Sequence, residues 1–598
     1  MISGIIIHEP TREYVYPLER NKLAIRLRTK RGFGGTCVLV YWNRCKKEET
    51  YPSYSRMECY ARDNMYDYYE TIIVTEQATR YINYYFEIEI EGNTIWLNYY
   101  GQSNSVPDNG FFEYLYTNEE DIFKVPDWLK DSIFYQIFPE RFCNGDTSND
   151  PFDVAGWGSE PTRDNFMGGD LKGIEKRLDY LAQLGVNAIY LNPVFESPTN
   201  HKYDTVDYFK IDPHFGNLED LKMLVNKCHL KGIRIILDGV FNHIGYYSKE
   251  FQDVIKNGDR SNYKSWFYIE SFPVDGEKLN FETIGYYKMM PKLRLGNPEV
   301  RAYILKVASY WIEEAGIDGW RLDCADEVDY TFWHEFRKVV KSIKADCFIL
   351  AETWRENRDM LRGDQMDSVM NYVFRDAVTD FFAKQCISSM EFDSRLNKFL
   401  GVYPKTVHFA LFNLIGSHDT PRFLTLCKGN IDKMKAAAAF QFCFPGIPVI
   451  YYGDEIGMEG GNDPECRKAM EWESQKQNME LLEWYKKLIQ IRNSKPALRS
   501  GSFKCNYCSS DNSVYSFFRE LEGDRIYIVI NNSDECANII LPVKESYKDI
   551  EYLHDMISGV AYKVECKDNK ICYNDDINNY KGAVQAELKP YQVCIISK

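Results

Sequence analysis

Seven short apolar runs, each ending in a cluster of chemically active side chains, recur between Ile133 and Glu455 of this 598-residue chain. They are IFYQIFPERF from Ile133, AIYLNPVF from Ala188, IRIILDGVFNH from Ile233, IDGWRLDCADE from Ile317, FILAETW from Phe348, FALFNLIGSHD from Phe409 and IPVIYYGDE from Ile447. Between them lie helical patterns. In the stretch from Pro298 to Ala315, Val300, Ile304, Val307 and Trp311 recur at helical spacing, with Asn297 placed to cap the helix and Pro298 at its first position. Seven or eight strand–helix units in one series predict a (β/α)8, or TIM, barrel. In that fold, catalytic groups come from the C-terminal ends of several strands.

The flanks read differently. Residues 1–124 are β-branched and aromatic in partly alternating runs, such as KLAIRLRT from Lys22, and predict a small β-sandwich. Val125, Pro126 and Asp127 read as a linker to a barrel over 125–499. Within it, Gly245 to Leu295 follows a strand and precedes a helix, yet is irregular and aromatic, which predicts an inserted subdomain over the barrel mouth. From 500 to 598 strands return without helices, predicting a C-terminal β-sandwich.

Composition narrows the partners. The net charge is 72 − 88 = −16, which argues against a phosphate-binding surface and so against nucleic acid. The longest apolar stretch, Ala436 to Tyr452, is broken by Gln441, Pro445, Gly446 and Pro448, so no membrane span is expected. The first residues lack the basic start and long apolar core of a signal peptide. Seventeen cysteines, an odd number on a long chain, read as reduced thiols. A cytoplasmic protein is the expectation. Cys505 and Cys508 have C-x-x-C spacing but no second pair at zinc-ribbon distance, so buried thiols are expected there rather than zinc.

The strand ends gather Asp238, Asn242 and His243, then Arg321 and Asp323, then Glu352, then His418 and Asp419. Three carboxylates on three strands, with histidines and an arginine beside them, match the needs of glycosidic bond cleavage: an acid, a nucleophile and a third charge near the sugar ring. A barrel-mouth metal centre is the rival use, but no H-x-H pair closes a strand.

The stretches DGVFNH (Asp238 to His243), GWRLDCADE (Gly319 to Glu327), AETW (Ala351 to Trp354) and GSHD (Gly416 to Asp419) resemble, in order and spacing, the four signature regions of the α-amylase family of glycoside hydrolases. FYQIFPERFCNGD from Phe134, NHKYDTVDY from Asn200, MPKLR from Met290 and GGNDPECRKAMEW from Gly460 resemble its cyclomaltodextrinase, maltogenic amylase and neopullulanase subgroup. The N-terminal module is similar to that subgroup's starch-binding-like sandwich.

The resemblance implies Asp323 as nucleophile, Glu352 as general acid/base and Asp419 as the third carboxylate, with Asp238 organising the strand ends. Arg321 would hold Asp323 charged, His243 and His418 would donate to sugar hydroxyls, Tyr203 would stack on the sugar, and Glu327 would line the acceptor side. Tyr286 and Tyr287 are a candidate sugar platform or subdomain core. Asn144, Asp146, Asn149, Asp150 and Asp170, with the Gly168 carbonyl, resemble a structural calcium loop and supply the hard oxygens Ca2+ takes; an Asx-rich turn without an ion is the alternative. A homodimer is implied by resemblance alone. The activity expected is retaining hydrolysis of α-1,4 bonds, and by extension α-1,6 bonds, in cyclodextrins, maltooligosaccharides and pullulan, with glycosyl transfer to sugar acceptors. An oligo-α-1,6-glucosidase or a glucan transferase on the same barrel is the alternative, and a non-catalytic glycan-binding protein the rival from another class.

Overall fold

The computed structural model describes residues 6–46, 52–509, 513–543, 550–566 and 582–598. Its centre is a closed ring of eight parallel strands: β1 (Phe134–Ile137), β2 (Ala188–Leu191), β3 (Arg234–Gly239), β4 (Gly319–Leu322), β5 (Phe348–Ala351), β6 (Ser368–Val369), β7 (Phe412–Leu414) and β8 (Ile447–Tyr451). Each pairs with the next in parallel register, β8 with β1, and a parallel bridge from Met370 to Phe412 closes the ring between β6 and β7. The barrel expected from the recurring runs is present.

Alternation along these strands decides what faces inward. Phe134, Ala188, Tyr190, Ile236, Phe348, Leu350, Phe412, Leu414, Ile447 and Val449 fill the interior, while Tyr135, Ile189, Leu191, Ile235, Leu237, Trp320 and Ile349 pack outward against the helices. A period of two then carries Gln136, Asn192, Asp238, Arg321, Asp323 and Glu352 to the inner side at the C-terminal ends. The helix over Pro298–Ala315 forms as its pattern predicts: Asn297 accepts from the Glu299 N–H at 2.9 Å, and Gly316 ends it at φ 71°.

After β3 the chain leaves the alternation. The helix Lys249–Asn257 and a set of bridges, His243 to Lys292, Phe267 to Leu293 and Ile269 to Phe281, surround a small aromatic core of Phe251, Phe267 and Phe281. This returns Lys292 to the barrel mouth beside Asn242 and Glu327.

On the N-terminal side, a five-stranded and a six-stranded sheet enclose Leu23, Ile25, Leu27, Leu39, Tyr84, Phe86 and Ile88. On the C-terminal side, eight antiparallel strands, from Ser502–Cys508 to Val593–Ser597, curl around Tyr527, Val529, Leu541, Val584 and Ile596. Among the described residues no helix is long and apolar enough to cross a membrane.

Candidate active site

Arg321 lies at the centre of the barrel mouth and has no exposure to solvent. Register places it opposite Asp238 on β3 and Leu350 on β5. Its Nη1 donates to both oxygens of Asp238 at 2.9 and 3.0 Å and to Asp323 Oδ1 at 2.8 Å. Its Nη2 lies 2.9 Å from Glu352 Oε2, and its Nε contacts Met370 Sδ at 3.4 Å. One guanidinium thus ties together three carboxylates from β3, β4 and β5. A carboxylate oxygen of Asp323, one of Glu352 and the Cys324 sulfur all lie within 4.8 Å of one another.

Both carboxyls are nearly enclosed, Asp323 at 6% and Glu352 at 5% exposure. The Cys324 backbone N–H donates to Glu352 Oε2 at 2.9 Å from a left-handed residue, φ 45°, a strained conformation of the kind that gathers at functional sites. Burial first, and then the neighbouring Glu352 charge, push the Asp323 carboxyl well above the ordinary range, against the pull of Arg321. The centre is therefore built to keep a proton.

Asp419 completes the cluster from the loop after β7. Its Oδ1 accepts from Arg467 at 3.3 Å and its Oδ2 lies 3.0 Å from His418 Nε2. Burial, followed by repulsion from Glu352, raises its carboxyl to about 7. The amide nitrogens of Gln136 and Asn192 face His418 Nδ1 at 2.8 and 3.1 Å. They donate, so Nδ1 accepts and the ring proton sits on Nε2, toward Asp419 and the Tyr203 hydroxyl 2.6 Å away. Burial holds this imidazole neutral, well below its ordinary pKa. Tyr203 lies parallel to the His418 ring, centroids 5.5 Å apart, and donates to Asp238 Oδ2 at 3.0 Å.

His243 Nε2 meets the Tyr203 carbonyl at 3.1 Å. That carbonyl can only accept, so the ring's donor hydrogen is already used and Nδ1 presents a lone pair. Glu327 is on the exposed rim and accepts from Asn242 at 3.0 Å. Tyr286 and Tyr287 sit on an exposed turn, 90% and 53% open, outside the hydrogen-bonded cluster.

This arrangement of carboxylates at barrel strand ends coincides with a match over most of the chain. Residues 136–501 match the α-amylase catalytic domain and residues 1–118 the α-amylase N-terminal Ig-like domain. The chain belongs to the α-amylase family. It is 46% identical over 558 residues to a cyclomaltodextrinase of Thermoanaerobacter pseudethanolicus, covering 92% of this chain and 96% of that one. It is 41% identical over 601 residues to neopullulanase 2 of Thermoactinomyces vulgaris, covering 100% and 99%. A solved cyclomaltodextrinase structure, 39% identical, superposes with a TM-score of 0.91 over 99% of both chains. The chain is thus a glycoside hydrolase of this family.

Four residues of this α-amylase-family site carried no role in the sequence reading: Gln136, Tyr190, Asn192 and Arg467. Tyr190 donates to Asp238 at 2.6 Å. Gln136 lies near the C-terminal end of β1 and Asn192 directly follows β2, so a search of the strand ends, which picked out Asp238 and Glu352, could have found them. Trp354, which is exposed, stacks on Tyr372 with ring centroids 4.1 Å apart.

The loop of the expected calcium ligands is also assembled. Asp170 caps the helix Leu171–Lys176 through the Gly173 N–H and accepts from the Gly145 and Asp146 N–H groups. Asp150 Oδ1 accepts from Asn144 at 2.8 Å, and the Asp146 carboxylate is taken by Ser148 and Lys172. Asn144 Oδ1 and Asn149 Oδ1 are buried with no hydrogen-bond partner among the described residues. Gly168, at φ 81°, has no room for a Cβ, which would meet Asn144 and Asp150 at 2.4 Å. Orphaned amide oxygens, one of them on the side chain that donates to the Asp150 carboxylate, fit a hard cation.

Cys505 and Cys508 are unbonded thiols with sulfurs 3.6 Å apart. A bulge between Cys505 and Tyr507 turns these i, i+3 side chains to one face of the strand.

Proposed function

We propose that the chain cleaves α-1,4 glucosidic bonds of cyclodextrins, maltooligosaccharides and pullulan, pullulan by extension at α-1,6 bonds, with retention of configuration and with some transfer to sugar acceptors. The observation that carries this is the short separation of the Asp323 and Glu352 oxygens on adjacent strands. A retaining double displacement needs its two carboxyls about 5–5.5 Å apart, whereas an inverting enzyme leaves about 6.5–9.5 Å for a water molecule. Asp323 attacks the anomeric carbon while Glu352 protonates the departing glycosidic oxygen. Glu352 then removes a proton from the water, or sugar hydroxyl, that resolves the glycosyl–enzyme. Arg321, donating to Asp323 Oδ1, stabilises the negative charge that attack requires there. Asp419 and neutral His418 hold ring hydroxyls, and Tyr203 offers its face to the sugar.

Nuclear magnetic resonance during hydrolysis should show the α-anomer first; initial β-product would exclude the double displacement. Glu352→Gln should lower kcat by about 10²–10⁴-fold or more with cyclodextrin binding kept. Near-normal turnover in that variant would remove the assignment.

We further assign a structural Ca2+ to Asn144, Asn149, Asp150 and the Gly168 carbonyl, with Asp170 organising the loop and Asp146 engaged by Lys172. When bound, the ion joins the 144–150 loop to the 168–170 turn. Unpaired thiols throughout the described residues support action in a reducing compartment such as the cytoplasm. We also propose that the N-terminal module packs against a second copy of the chain, as the resemblance to the subgroup implies. Light scattering should then give twice the 70.1 kDa chain mass, and a monomer at micromolar concentration would refute the dimer.

A further inference from the structure

Cys505 and Cys508 stand on Ser502–Cys508, the edge strand of the C-terminal sheet, and no step of glycoside cleavage uses them. Strand pairing puts both on one face. Cys505 lies opposite Phe517 and Cys508 opposite Tyr515, only two positions apart on the neighbouring strand, because the bulge before Tyr507 takes up the extra residue. The two sulfurs are 3.6 Å apart, and both residues are partly exposed. The Cys505 thiol also donates to Asp393 on the helix Ser389–Val402, a carboxylate that accepts from Tyr515 at 2.8 Å. The pair thus lies at the seam between the C-terminal sheet and that helix.

We propose that Cys505 and Cys508 are a thiol–disulfide exchange site, which closes to an intramolecular disulfide by reaction with a low-molecular-weight disulfide of the glutathione class. A disulfide needs its sulfurs about 2.05 Å apart and its Cβ atoms about 3.5–4.5 Å apart. Two side chains on one strand face already bring the sulfurs to 3.6 Å, and side-chain rotation supplies the remaining approach. In a reducing compartment the pair rests as a dithiol. It closes as the disulfide fraction rises, the transient, redox-sensing form that cytosolic disulfides usually take.

Cys508 opens the exchange. The Cys505 thiol, hydrogen-bonded to the Cys508 sulfur and desolvated, is held well above its ordinary pKa, so it is the poorer first nucleophile. The Cys508 thiolate attacks one sulfur of the small disulfide, forming a mixed disulfide and expelling one thiolate. Cys505 then gives its proton to the Asp393 side and attacks the Cys508 sulfur, which breaks the mixed disulfide and expels the second thiolate. The two expelled thiolates take up the two protons that the protein thiols lost. Two protein thiols are oxidised and one small disulfide is reduced to two thiols. Closure also removes the Cys505 hydrogen from Asp393 and so alters the seam.

The test equilibrates the full chain in a series of glutathione buffers, from reduced and from oxidised starting material, then alkylates the free thiols and maps the peptides by mass. The wild type should yield a Cys505–Cys508 peptide two hydrogens lighter, which a reducing agent reverses. Exposed, single Cys386 is the internal control. The pair should be mostly linked in buffers that leave Cys386 mostly free, because its second thiol acts at an effective concentration of about millimolar or more. Cys505→Ser should stop at one glutathione on Cys508, with no internal link. Cys505 and Cys508 alkylated as fully as Cys386 throughout the series, or both carrying glutathione without the link, overturns the proposal. More glutathione on Cys505 in Cys508→Ser than on Cys508 in Cys505→Ser overturns the assignment of Cys508 as the attacking thiol.

Discussion

At the scale of single residues, the site trades stability for chemistry, and Asp419 lets the trade be measured. Its carboxyl titrates at about 7 in the folded chain against an ordinary 3.8, chiefly through burial. Between those values the native state holds a proton that the unfolded state has released, so stability falls as pH rises from about 4 to 7. Asp419→Asn removes this ionisation. Its melting temperature should match the wild type near pH 4 and exceed it increasingly up to pH 8, while kcat drops. A difference independent of pH would show that Asp419 does not titrate there. Asp323, Glu352, Asp419 and Arg321 were legible in the sequence because each ends or follows an apolar run. The contacts of His418 with Gln136 and Asn192, 282 and 226 positions away, were not. No local pattern encodes which strand ends meet, and only closure of the ring brings β1, β2 and the loop after β7 together.

At the scale of elements, legibility follows length. The 18-residue helix over Pro298–Ala315 was readable to its cap, whereas β6, two residues long, has no periodicity to detect and none of the seven runs contains it. Its place is fixed by neighbours: Ser368 and Val369 pair with β5, and Met370 bridges Phe412. The proposed calcium loop is intermediate. Its oxygen-rich composition was visible, but not that Asp146 turns to Lys172 and Asp170 to backbone N–H groups. If Asn144, Asn149, Asp150 and Gly168 hold Ca2+, a chelator should lower the melting temperature, because an ion bound only by the folded state stabilises it by mass action. Gly168→Ala should lower it further, through both the Cβ collision and the positive φ. A melting temperature unmoved by chelation of a chain verified to be metal-free would refute the ion.

At the scale of the whole molecule, the N-terminal module is fastened to the barrel by charge buried at their junction. Arg26 donates to Glu70 Oε2 at 2.8 Å and to the Tyr403 and Gly401 carbonyls at 3.0 and 3.3 Å, at the end of the helix Ser389–Val402. Tyr60 donates to the Gly401 carbonyl at 2.7 Å, and Lys405 pairs with Glu70 from the barrel side. Arg26 and Glu70 are both buried. Removing Arg26 leaves Glu70 with Lys405 as its remaining cation and the Gly401 and Tyr403 carbonyls without the Arg26 donor, at a cost below the about 3–5 kcal/mol of a fully stranded buried charge. Arg26→Ala should therefore loosen the module first, giving an early calorimetric transition ahead of the barrel's own. The same junction predicts an acid response of opposite sign to that of Asp419. Arg26 and Lys405 hold the Glu70 carboxyl down at about 2 despite its burial, so its contribution is complete above about pH 4.5 and is lost as pH falls through 2. The early transition of Arg26→Ala should appear at neutral pH, and in the wild type only in strong acid. A single transition in Arg26→Ala, unshifted from the wild type at neutral pH, would mean that apolar packing rather than this ion pair joins the module to the barrel.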